Sequence, residues 1–144
     1  MKKLLTTICL YTLVGLPLWG QMSISTNRTQ NFNWDKGTHR WIPSGEEVED
    51  YTFFAFNEEF TILKHTTSSM TSAYLIESIQ KDTVDNNPIL LLDILSDEGN
   101  KYLMIIDLQN DELRFLDEKL TFMKSQSIKN IWSDEEEEET HKSL

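Results

Sequence analysis

Three histidines, His39, His65 and His141, are the side chains of this chain best suited to move protons or ligate a metal near neutral pH. They do not occur as HxH or HExxH, so the spacing that aims two imidazoles at one metal is absent. His39 and His65 fall in separate segments and read as partly exposed strand residues, while His141 falls in an acidic tail. A serine nucleophile needs a positioned base and an orienting acid. No serine stands in a GxSxG setting, and Pro43-Ser44-Gly45 reads as a turn ahead of Glu46-Glu47. With only five glycines, neither a phosphate-cradling loop nor a dinucleotide fingerprint is present. Acids gather as Asp97-Glu98 and as Asp107, Asp111 and Glu112. A strand between them would hold the two groups at opposite ends, and the second lacks the EF-hand spacing and its turn glycine. The expectation is solvated turn acids, with no catalytic residue, metal centre or cofactor.

The aromatics offer a different chemistry. Asn33-Trp34-Asp35-Lys36-Gly37-Thr38-His39-Arg40-Trp41 is a polar, glycine-containing stretch that resembles a β-hairpin. Trp34 would then lie near Trp41 across the hairpin, with His39 or Arg40 alongside. Stacked rings of this kind take sugars and flat apolar ligands, so Trp34, Trp41, His39 and Arg40 form the predicted ligand-binding surface. The competing reading is core packing, since aromatics are also the usual bulk of a small β core. Trp132 has the same two readings, while the phenylalanines at 53, 54, 56, 60, 115 and 122, with Tyr74 and Tyr102, are expected to supply much of the packed core.

The elements that must position these residues read as short strands. Tyr51 to Phe56 is turned by Asn57-Glu58-Glu59 into Phe60 to Thr66, where Phe60 and Ile62 alternate with Thr61 and Leu63. Ser72 to Gln80 places Tyr74, Ile76 and Ser78 on one face and Leu75, Glu77 and Ile79 on the other. Residues 81–88 read as a loop, from the turn preferences of Asp, Asn and Pro. The apolar run Ile89 to Leu95 pairs with Lys101 to Asp107 across Asp97-Glu98-Gly99-Asn100. Glu112 to Leu116, Lys119 to Lys124 and Ile128 to Trp132 follow. Between 111 and 125, Leu113, Leu116, Leu120 and Met123 also permit a helix. No internal repeat stands out beyond the hairpin rhythm.

Residues 1–20 look like an address. Lys2 and Lys3 precede an apolar run from Leu4 to Trp19, and Gly20 offers a small residue for cleavage. That is the order of a secretory signal peptide, and the run is short for a membrane span, so no stable span is expected after cleavage. Removal would take away the only cysteine, Cys9, and with it any disulfide or thiolate chemistry. A small exported domain without disulfides points to a bacterial periplasmic or secreted protein. The formal charge is −11, and −13 without Lys2 and Lys3. The lysines and arginines are scattered, so nucleic acid is excluded as a partner, whereas a basic protein is permitted. Six acids in a row, Asp134 to Glu139, repel one another and mark a disordered acidic tail. Asn27-Arg28-Thr29 and Asp82-Thr83-Val84 match short glycosylation patterns of eukaryotic and of exported bacterial proteins, respectively.

These observations predict an all-β fold, a small antiparallel meander closed as a barrel or stacked as a sandwich, following an N-terminal signal-peptide helix. The expected boundaries are 1–20 signal peptide, 21–31 flexible lead-in, 32–132 β domain and 133–144 tail. The meander is compatible with a lipocalin-like or other small closed barrel, although the Gly-x-Trp of a lipocalin first strand is missing. The function this implies is non-catalytic binding of a small apolar or sugar-like ligand. The alternative is a protein–protein module, such as an inhibitor or envelope accessory factor, working through its acidic surface.

Overall fold

A computed structural model describes residues 22–133, so the expected signal peptide and the acidic run lie outside the described residues. Nine strands form: β1 (Met22–Asp35), β2 (Arg40–Pro43), β3 (Val48–Phe56), β4 (Ile62–Thr66), β5 (Thr71–Val84), β6 (Asn87–Ser96), β7 (Lys101–Asp107), β8 (Glu112–Asp117) and β9 (Phe122–Ser133). Each of β3 to β8 pairs antiparallel with the next strand, and β9 returns to β1 from Met22↔Ser133 to Asn33↔Phe122. Because β1 also pairs with β3, eight strands close into an antiparallel barrel, which resolves the barrel-or-sandwich expectation. Closure gives backbone groups at both sides of the meander a partner, which an open sheet edge lacks. The ninth strand lengthens the wall. β1 outruns β3, and its last residues, Phe32 to Asp35, pair with β2 instead. The chain detours between β2 and β3 at Gly45, where φ is +119° and a side chain would be strained.

Side chains alternate across each strand, so every second residue points into the barrel. Ile24, Phe54, Leu63, Ile94, Met104 and Leu113, from six different strands, are fully buried there. Each such residue contributes about 1.5–3 kcal/mol of apolar burial. One end of the barrel is closed by Phe60, in the β3–β4 turn, which stacks on Phe56 with ring centroids 5.3 Å apart. The outer wall interleaves exposed Lys64, Gln80 and Asp93 with apolar residues rather than forming a continuous apolar band. No helix among the described residues is long and apolar enough to cross a membrane.

The lead-in expected at 21–31 is instead, from Met22 onward, the strand that closes the barrel. Its Ser, Thr and Asn content reads as loop, yet Met22, Ile24 and Thr26 alternate inward and are buried. The loop expected at 81–88 shrinks to Asp85-Asn86. Both have positive φ, +52° and +65°, the type I′ geometry that joins two strands with two residues. Strand pairing therefore continues to Val84↔Asn87. A bulge between Ile76 and Ser78 reverses the facing of β5, turning Ser78 outward, where its hydroxyl donates to Asp93 at 2.7 Å. Leu63 rather than Ile62 faces the core. The region 111–125 is β8, a turn and the start of β9, and the two short strands expected at 119–124 and 128–132 are one.

Candidate functional site

The inward-facing residues change character toward the end of the barrel opposite Phe60. On β1, β3 and β9 the apolar series gives way to Thr26, Thr29, Asp50, Thr52, Lys124 and Gln126. Buried polar residues are informative because each must find a partner. Thr26 Oγ1 and Thr52 Oγ1 share a hydrogen bond of 2.6 Å, and Gln126 Nε2 donates to Thr52 Oγ1 at 3.2 Å. The Thr29 hydroxyl donates to Asp50 Oδ2 at 3.4 Å. These bonds fix the wall on the β1 side.

Across the barrel a stack of rings forms a floor. His65 lies flat on Phe54, with centroids 4.4 Å apart and planes within 10°. Phe115 packs against both, 5.5 Å from Phe54 and 6.1 Å from His65. Burial in this stack, reinforced by the charge of Lys124 and opposed by Asp50, lowers the His65 pKa to about 4. The imidazole is therefore neutral at neutral pH. Its Nε2 is buried and has no hydrogen-bond partner among the described residues.

Above this floor lies a recess of about 200 Å³. Tyr74 and Tyr102 meet edge to face at 6.2 Å on one side, and Phe122 and Lys124 form the other. Burial raises the Tyr74 pKa, with help from Tyr102, Asp97 and Glu98, so its phenol stays protonated. Asp117 reaches the rim, but its carboxylate is occupied by its own turn. It accepts Thr121 N–H at 2.7 Å, the Thr121 hydroxyl at 2.6 Å and Phe122 N–H at 3.0 Å. Lys124, in contrast, has no ion pair or hydrogen bond among the described residues, and neither do the hydroxyls of Tyr74 and Tyr102. The recess thus offers ring faces, two phenol groups and one cation.

The hairpin group expected from sequence sits elsewhere. Trp34 pairs with Trp41 in register, with centroids 5.3 Å apart and planes at 68°, and His39 meets Trp34 edge-on at 6.4 Å. His39 occupies a left-handed turn position at φ +57°, not a strand. Arg40 is exposed at the start of β2. Three of the four residues are thus in ring contact, but none lines the recess. The Trp34 and Trp41 side chains are on the outer side of the wall, because Asn33, next to Trp34, shares the inner side with Phe122. Trp132 is also on the outer wall, 5.8 Å from Phe53.

The recess residues come from five strands and share no local motif. The available signal was parity. Tyr102 continues the inward series of Met104 and Ile106, Phe115 that of Leu113, and Phe122 and Lys124 that of Gln126 and Ile128. A lysine in phase with core residues marks a place where the core stops.

The acids behave as turn residues. Asp107 is buried and accepts Asn87 Nδ2 and Asn110 Nδ2, each at 2.9 Å, at the end of β7 opposite Asp97 and Glu98. Among the described residues no group of three or more His, Cys, Asp or Glu side chains is arranged to hold a metal ion. Asp82, Thr83 and Val84 are exposed at the end of β5, whereas Thr29 of the Asn27 pattern is buried in the barrel. Comparison of this chain with protein-family models, curated proteins and solved structures finds no match.

Proposed function

We propose that the chain is an exported, non-catalytic barrel that binds a small ring-bearing ligand in the recess at its open end. The observation that carries this reading is the 200 Å³ recess walled by Tyr74, Tyr102, Phe115 and Phe122 over the His65 stack. Ligand sites are concave and largely apolar, with a few polar groups, and a cavity of about 150 Å³ is enough to hold one benzene ring. The volume therefore admits a single ring, aromatic or sugar-sized. A non-catalytic role is supported by the chemistry of the site: among the described residues no carboxylate is hydrogen-bonded to the neutral imidazole Nε2, and Asp117 is committed to its turn. Export rests on the signal-peptide pattern of residues 1–20.

Titrating the full chain with benzyl alcohol while following amide and aromatic NMR shifts tests the site. Changes are expected at Tyr74, Tyr102, Phe115 and Phe122. Changes confined to Trp34 and Trp41 would move the function to the outer hairpin, and none at all would remove the reading.

A second reading has its own observation. A groove of about 360 Å³ on the outer wall is floored by Leu103 and Leu120 and edged by Glu77, Asp93 and Glu118, with Lys101 the cation beside them. Charge complementarity fits a basic segment of a protein partner there. Binding of a lysine-rich peptide that survives 0.5 M salt unchanged would exclude it, given a Debye length near 4–5 Å at about that ionic strength.

A further inference from the structure

Resting on that reading of the recess, we infer that its ligand class is a monocyclic aromatic carboxylate, with the ring against Phe115 and Phe122 and the carboxylate on Lys124 Nζ and the tyrosine hydroxyls. The inference comes from an imbalance in the polar groups. The unengaged polar groups of the recess residues are Lys124 Nζ and the hydroxyls of Tyr74 and Tyr102, all three able to donate to an anion, and His65 Nε2, which is buried in the ring stack. The one carboxylate in the lining, Asp117, already accepts from Thr121 and Phe122 and cannot serve as counter-ion without breaking its turn, while Asp97 and Glu98, whose charges reach Tyr74, lie outside the lining. A second acid, Asp50 on β3, has accepted the Thr29 hydroxyl and lies outside ion-pair range of Lys124. A neutral ring would leave Lys124 to water, whereas a cationic ring would meet it as a like charge. An anion answers all three groups with charge-assisted hydrogen bonds, the strong kind. The ring walls set the other half of the ligand, because a free inorganic anion leaves those faces unused.

Three ligands of nearly one shape separate the possibilities: benzoate, benzyl alcohol and benzylamine, titrated against the full chain at pH 7 by NMR. Benzoate is expected to bind about tenfold tighter than benzyl alcohol, the equivalent of one hydrogen bond to a charged group. Benzylamine is expected to bind more weakly than either. In Lys124→Met the preference for benzoate over benzyl alcohol disappears, and Lys124→Arg retains it. A further readout does not depend on affinity. Lys124 on β9 helps hold the His65 imidazole neutral, with Asp50 on β3 opposing it and Tyr74, Tyr102 and Asp117 at the same recess. Because burial, the larger cause, is deepened alike by either ring, bound benzoate should leave the His65 titration midpoint higher than bound benzyl alcohol does. Equal binding of benzoate and benzyl alcohol, or a preference surviving Lys124→Met, overturns the carboxylate assignment and leaves the ring site standing. Failure of all three ligands removes both.

Discussion

The turn after β3 and the turn after β8 are built from the same parts, yet one seals the barrel and the other leaves it open. Asn57-Glu58-Glu59-Phe60-Thr61-Ile62 and Asp117-Glu118-Lys119-Leu120-Thr121-Phe122 match in residue type at every position but the third, where Glu59 stands against Lys119. In each, the first side chain accepts two successive N–H groups, Thr61 and Ile62 at 2.8 and 3.0 Å, or Thr121 and Phe122 at 2.7 and 3.0 Å. In each, the threonine hydroxyl is bonded to that side chain, accepting from Asn57 Nδ2 in the first and donating to Asp117 Oδ2 in the second, and the fourth residue is left-handed, Phe60 at φ +56° and Leu120 at φ +57°. The difference lies in where each turn sits. Strands progress around a meander barrel in one direction, so hairpins at its two ends are related by a half-turn about an axis that lies in the wall and runs around the barrel. The same hairpin must then show opposite faces to the interior. Phe60 consequently falls inside, on Phe56, while Leu120 falls outside and is half exposed. Conversely, Phe122 enters the recess where Ile62, its counterpart, faces solvent. A repeated turn of one handedness makes one closed and one open end.

The largest expected effect is the asymmetry itself. Phe60→Ala removes a buried ring and should cost about 3–5 kcal/mol, whereas Leu120→Ala should stay within about 0.5 kcal/mol. Urea unfolding of both variants measures the two costs. Similar losses would mean that Leu120 is covered and that the end above Phe115 is not open.

The first side chain of each turn sharpens the comparison by pH. Burial works against the Asp117 charge, but the bonds from Thr121 and Phe122 prevail and hold its pKa below the usual 3.8. A depressed acid stabilises the fold above its unfolded pKa, and that stability is lost as pH falls through the folded value. Asn57 carries no charge and gives its turn no such dependence. Asp117→Ala should therefore cost about 1–2 kcal/mol at pH 7 and progressively less below pH 4, while Asn57→Ala costs a similar amount at both. Thermal melts of the two variants at pH 7 and pH 3 check this, and a parallel response would show that the Asp117 charge adds nothing to its turn.

His65 brings the floor of the open end into the same test. Its pKa of about 4 results first from burial and then from Lys124, against the opposing pull of Asp50. Between the unfolded value of 6.5 and the folded value near 4 the unfolded chain binds the extra proton. Stability is thus complete above pH 6.5 and falls as the pH drops toward 4. His65→Leu keeps the floor apolar and should flatten the melting temperature across that window. A wild-type curve already flat there would show that the stack does not desolvate the imidazole.

How much of this could be read from the chain depended on whether the deciding contact was local. Lys101–Asp107 was bounded correctly because its apolar alternation and the Asp97–Asn100 turn lie within a dozen residues of each other. β1 was not, because Thr26 and Thr29 become interior residues only when Gln126 and Thr52 arrive from distant strands. The bulge at Glu77 reversed a facing that simple alternation gets right up to Ile76. The Trp34–Trp41 pairing was legible as a hairpin, but which side of the wall it faces was not, since that depends on barrel closure through β9. The recess is the extreme case, with each lining residue unremarkable in its own strand.

The smallest effect tests the turn alone, and its sign carries the information. A third turn of this kind, Ser96 to Asn100, accepts Asn100 N–H on Ser96 Oγ at 3.0 Å and places Gly99 at the left-handed position, φ +91°. Glycine is the residue that position favours, and a leucine or phenylalanine held there is strained by roughly 1–2 kcal/mol. Phe60 offsets that strain through its stack on Phe56, but Leu120 has no comparable burial. Leu120→Gly should relieve more than the roughly 0.5–1 kcal/mol of chain entropy that a glycine adds to the unfolded state, leaving a gain of about 0.5 kcal/mol. Phe60→Gly relieves the same strain and still destabilises, because the lost ring outweighs it. Opposite signs from one substitution in two matching turns would place the closing of the barrel in the Phe60 side chain. A loss in Leu120→Gly would instead show that Leu120 is held by its groove with Leu103, and that the outer wall is the better packed surface.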